Sequence, residues 1–185
     1  MNKVKSVISI FAIFFLGFCL AEESENINRP NTWEKSQHGV TVSLKQLHPD
    51  QVDAFYIGRG FTMDQIKPYT KTCVYTAIMR NDKALSRIHF IRSYWKVKNK
   101  ENEQAIKKSS EWLSLFKGKK VTPSALIAFR LAQFPEEQEY EPNGDWNQGM
   151  LSINMPAGST FDLMVYWDMK GIPYKLKLKE VHCAK

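Results

Sequence analysis

Phe161-Asp162-Leu163-Met164-Val165-Tyr166-Trp167-Asp168 runs through Lys170-Gly171 into Tyr174-Lys175-Leu176-Lys177-Leu178-Lys179. Phe161, Leu163, Val165 and Trp167 alternate with Asp162, Met164, Tyr166 and Asp168. Tyr174, Leu176 and Leu178 alternate with three lysines. A period of two is that of a strand with one buried face, and glycine supplies the turn between two such runs. A slip of one residue would turn every leucine to solvent, so the register of this hairpin is specified by its own pattern.

Other segments upstream read the same way. Val40, Val42 and Leu44 alternate with Thr41, Ser43 and Lys45. From Thr72 to Arg80, Cys73, Tyr75, Ala77 and Met79 occupy one face and Val74, Thr76 and Ile78 the other. Both faces of that run are apolar, which marks a central strand. Asn81-Asp82-Lys83 punctuates it, and Ile88 to Val97 then reads as a second strand closing a hairpin. Gly149 to Met155 completes a set of about six strands.

Helical signals interrupt the strands. Val52, Phe55 and Tyr56 follow Pro49 at helical spacing. Thr62 and Gln65 form a capping box for a short turn ending before Pro68. Ser110 precedes a helix that stops at Gly118, and Thr122-Pro123 opens one that stops before Pro135. Asn99 to Lys108, rich in charge, and Glu136 to Gln148, acidic and then turn-forming, read as loops. The expected fold is mainly β: an antiparallel β-sandwich, immunoglobulin-like in outline, with two or three short helical insertions. An α+β domain is the alternative.

The first residues carry Lys3 and Lys5 ahead of an apolar run from Val7 to Leu20, followed by Ala21 and the acidic Glu22-Glu23-Ser24-Glu25. A charged start, a short apolar middle and a small-residue exit make a cleavable signal peptide over residues 1–21, too short to span a membrane comfortably. Bulky Phe18 before Cys19 argues against a lipid anchor there. The mature chain is expected to begin at Glu22, with a flexible lead-in over 22–36 and a single β-rich domain over 37–185. No stable membrane span remains after processing.

The chain carries 26 basic and 19 acidic residues, and losing Lys3 and Lys5 lowers the net charge from +7 to +5. The charge is spread along the chain, and export argues against nucleic acid as a partner. Cys73 and Cys183 remain after processing. In the periplasm or outside the cell an isolated pair of this kind is expected to form a structural disulfide.

No G-x-S-x-G elbow, phosphate-binding glycine loop or C-x-x-C pair is present. Six methionines (Met63, Met79, Met150, Met155, Met164, Met169) and four histidines (His38, His48, His89, His182) suit copper chemically, but none forms an H-x-H or M-x-M pair. Glu136, Glu137, Glu139, Glu141 and Asp145 cluster without the alternation of a calcium loop. Within the expected loop, Trp146 is flanked by Asp145 and Asn147, with Tyr140 upstream. An aromatic anchor among polar groups suits a partner contact. The function expected from the sequence is a non-enzymatic exported accessory protein, with no cofactor, that binds a protein partner in the bacterial envelope. A periplasmic copper carrier or chaperone is one alternative, and a carbohydrate-binding or carbohydrate-processing domain is another.

Overall fold

The structure, a computed structural model, describes residues 27–29, 31–99 and 102–184. The signal peptide and its cleavage point lie outside the described residues. Two antiparallel sheets face each other across one core, and four helices cover part of the outer face of the first sheet. The sandwich with helical insertions is thus the fold, with four helices where two or three were expected.

The first sheet has the order β1 (Ile27–Arg29), β2 (Thr32–Gln37), β3 (Val40–Leu47), β4 (Cys73–Asn81), β9 (Asp145–Ile153). In the second, β10 (Thr160–Met169) pairs on one side with β11 (Ile172–His182). On the other it pairs with β5 (Ile88–Ile91) and β6 (Lys96–Lys98), which are flanked in turn by β8 (Glu137–Tyr140) and β7 (Glu103–Ala105). The helices are α1 (Pro49–Ile57), α2 (Met63–Thr70), α3 (Ser109–Gly118) and α4 (Pro123–Ala132). Among the described residues no helix is long and apolar enough to cross a membrane.

The β10–β11 hairpin forms as its alternation requires: Val165 lies opposite Leu176, Leu163 opposite Leu178, and all four face the core. β4 is central, between β3 and β9, and touches two cores. Its Cys73, Tyr75, Ala77 and Met79 meet the second sheet, while Val74 joins a separate cluster of Tyr56, Ile66, Tyr69, Trp112, Phe116 and Phe129 under the helices. Cys73 and Cys183 lie at disulfide distance, with Cα atoms 5.3 Å apart, and tie β4 to the end of the second sheet.

Several expectations are corrected. Part of the lead-in is structural: residues 32–37 form β2, and Trp33 is only 7 % exposed. Trp33 packs edge-on against Tyr75 and donates its indole N–H to the Glu180 carbonyl at 3.1 Å, linking the two sheets. β4 and β5 do not form a hairpin. The buried Asn81 amide donates to the carbonyls of Ser86 and Tyr140 and its oxygen accepts from the Ala84 N–H, which turns the chain across into the opposite sheet. The expected strand from Ile88 to Val97 is broken by a 3-10 turn, Arg92–Tyr94. The charged stretch after Lys98 contains β7.

The capping box of Thr62 and Gln65 is present, yet α2 continues through Pro68 to Thr70. Proline at 68 removes the amide that would have served the Asp64 carbonyl. Lys119 Nζ donates to that oxygen instead, at 3.2 Å. The expected loop from Glu136 to Gln148 is mostly strand, β8 and the start of β9, with a turn at residues 142–144. Gly149 is needed where the chain leaving α4 crosses β9: a Cβ there would lie 2.3 Å from the Phe134 nitrogen.

Candidate functional site

An outward sheet face bathed in water carries polar residues at alternate positions. The outer face of the second sheet departs from this where the 3-10 turn interrupts it. β10 pairs with β5 at Asp168–His89 and with β6 at Met164–Lys96. Between them the Tyr166 carbonyl has no strand opposite and accepts the Trp95 indole N–H at 3.1 Å. Trp95 fills the gap from inside, while Tyr94 is thrown outward, 62 % exposed. An interruption of this kind re-aims side chains, as a bulge does.

The result is a groove of about 510 Å³, floored by Ile91 and Tyr166, walled by Tyr94 and Pro173, and rimmed by His89, Lys96, Glu103 and Asp168. Charges of both signs stand around an apolar middle, the arrangement of a site that takes an apolar group and fixes its orientation. His89 Nε2 lies 2.8 Å from Glu137 Oε1.

The residues expected to bind a partner do not converge. Tyr140 is 1 % exposed, in the core between the sheets, and its hydroxyl has no hydrogen-bond partner among the described residues. Asp145 ties the turn, accepting the Glu141 N–H at 3.0 Å. Asn147 lies opposite Met79, on the inward side of β9. Trp146 lies opposite Arg80 on the outer face of the first sheet and is 50 % exposed. Its cross-strand partner Arg80 helps line a polar depression with His38, Asp82, Lys83 and Asn143. Trp146 is therefore no core plug. Trp146→Ala should cost about 1 kcal/mol or less, against the 3–5 kcal/mol of a buried tryptophan, as read by thermal melting.

Among the described residues, no three His, Cys, Asp or Glu side chains gather as a metal cluster. The thioethers and imidazoles considered for copper are dispersed. Met79 and Met169 are in the core. Met150 sulfur accepts the Tyr56 hydroxyl at 3.3 Å, and Met155 sulfur accepts Gln104 Nε2 at 3.2 Å. His38 packs against Tyr174, and His182 pairs with Thr160.

Two polar networks sit beneath the helices. Tyr69 donates to Gln133 Oε1, whose amide donates to Tyr56 at 2.8 Å, and burial pushes both phenols far above their usual range. Arg92 is buried, donating to Phe134 O, Ser109 Oγ and Glu136 Oε1. Burial lowers its basicity, with Glu136 opposing. These bonds tie α1, α2 and α3 to the segment that leaves α4 for the sandwich.

Compared with known proteins, the chain matches no family model, no curated protein and no solved structure.

Proposed function

We propose that the chain is a non-enzymatic accessory protein, exported to the bacterial envelope, that holds a protein partner in the groove on its second sheet. One observation carries this reading: Ile91, Tyr94, Tyr166 and Pro173 form an apolar concavity on a face that would otherwise be polar. Exposed tyrosine in a pocket is a common anchor of binding energy, and a rim of mixed charge supplies orientation. The signal-like residues 1–21 and the pairing of Cys73 with Cys183 support an oxidising compartment.

A photoactivatable phenylalanine derivative at position 94, introduced in the native host, tests the reading. It should give one discrete adduct with another protein, while the same group at exposed Ser114 on α3 gives none. Tyr94→Ala should then weaken the isolated complex by about tenfold or more. No adduct, or the same adducts from both positions, would refute the groove as the contact. Stoichiometric copper uptake by the purified chain, or a specific hit in a glycan screen, would replace the protein-binding reading with one of its two rivals.

A further inference from the structure

The outward face that holds the groove also organises lysines. Met164 stands in register between Lys96 on β6 and Lys177 on β11. Asp162 lies opposite Lys98, and Tyr166 opposite Lys175. Lys179 and Glu180 stand together between inward Leu178 and Val181, where the register shifts, so Lys179 is also outward. Five lysines thus flank the lower half of β10 on the side where Tyr166 points.

The carboxylates in the same stretch are Asp162, paired with Lys177 at 2.7 Å, Glu103, opposite Lys98 on β7, and Glu180 beside Lys179, so the five lysines stand against three acids. Lysines on an edge strand can be explained as protection against edge-to-edge pairing, which covers those of β11. Lys96 and Lys98 are not on an outer edge, since β7 lies beyond them. No two of these lysines stand directly opposite one another, but their excess over the carboxylates leaves the face net positive, which favours a negative ligand.

Resting on the function proposed above, we infer that the partner offers an extended acidic segment of polypeptide. It places an apolar or aromatic side chain in the groove and carboxylates over Lys96, Lys98 and Lys175. An extended chain repeats its side chains about every 6.6–6.8 Å on one face, the spacing at which Tyr166, Met164 and Asp162 succeed one another along β10. A second copy of this protein would bring lysine against lysine. A flat anionic bilayer would meet the lysines but leave the concavity of the groove unfilled.

The probe is a fluorescein-labelled peptide of about twelve residues, alternating Glu and Ser around a central Phe, with a control carrying Gln for every Glu. By fluorescence anisotropy, the acidic peptide should bind about tenfold or more tighter than the control at about 50 mM salt. The gap should close near 0.5 M, where charges are screened within a few ångströms. Lys96→Glu with Lys98→Glu should abolish the gap, whereas Lys117→Glu with Lys120→Glu, an equal change in net charge on the far helical layer, should preserve it. Thermal melts confirm that both variants are folded.

Equal loss from both pairs would mean attraction to net charge alone and would overturn the inference. Equal binding of the Gln peptide would also overturn it, while leaving the groove as an apolar site. Co-sedimentation with phosphatidylglycerol vesicles without peptide binding would assign the face to lipid instead. If neither probe binds, the acidic segment is refuted, and cross-linking from position 94 decides separately whether the groove meets a protein.

Discussion

Purified protein in which Cys73 and Cys183 are replaced by serine should unfold about 4–20 °C below the parent. The pair closes a span of 110 residues, and the dominant effect of joining it is to restrict the unfolded chain. Removing a native bridge of this kind costs about 2–5 kcal/mol, and in a domain of this length each kcal/mol moves the midpoint by about 2–4 °C. The native state should nevertheless persist at ambient temperature. The end of β11 is held independently: the Tyr75 hydroxyl donates to the His182 carbonyl at 2.7 Å, the Trp33 indole to Glu180, and the Cys183 N–H to Ser159 at 2.9 Å. Calorimetry of the double variant beside peptide mapping of the parent under non-reducing conditions checks both halves of the expectation. Two free thiols in the parent, or an unchanged midpoint in the variant, would refute it.

Legibility of this fold in the sequence depended on whether a segment's partners were local. The β10–β11 hairpin could be read because its alternation and its Lys170-Gly171 turn lie within one stretch. The two helix starts at Thr62 and Thr122 could be read because a capping residue and its N–H are three positions apart. β4 was recognisable as central since both of its faces are apolar. What failed were elements whose stabilisation comes from afar. Residues 137–148 are polar enough to resemble a loop, yet β8 is held by β5 and β9 by β4, and exposure of one face lets them stay polar. Trp33 sits in a hydrophilic run, and only its distant partners Tyr75 and Glu180 reveal it as core. The crossing of the chain between sheets is written in Asn81, whose bonds reach to Tyr140, and nothing beside it announces them. The groove was hidden for the same reason, because Ile91, Tyr94, Tyr166 and Pro173 come from three separate segments. Trp146 was identified as an accessible aromatic, but the residues grouped with it point elsewhere, because a strand sends neighbours to opposite faces.

Phe129→Ala should be the most damaging single truncation in the helical layer, lowering stability by about 3–5 kcal/mol. Phe129 projects from the inward side of α4 and is fully buried. Its ring lies 4.8 Å from that of Phe116, 5.1 Å from Tyr69, 5.3 Å from Tyr56 and 6.3 Å from Phe61, so it touches aromatic groups of α1, α2 and α3 at once. Alanine would leave a void among rings that are held by their own hydrogen bonds, Tyr56 and Tyr69 through Gln133, and cannot collapse into it. The damage should also be unevenly distributed. The cluster under the helices is separate from the core between the sheets, and it meets the sandwich through Val74 of β4, Met150 of β9 and the Trp112 indole N–H donated to Ser152 at 2.9 Å. Partly independent units of structure open with their own free energies. Amide hydrogen exchange in the variant should therefore accelerate more over α1 to α4 than over β10 and β11, and the helical circular-dichroism signal should fade at lower temperature than the near-ultraviolet signal of Trp95 and Trp167, both buried in the other core. Equal acceleration in both regions would show one cooperative unit, and a loss below about 1 kcal/mol would show that the cavity had closed and that the helical layer does not depend on this ring.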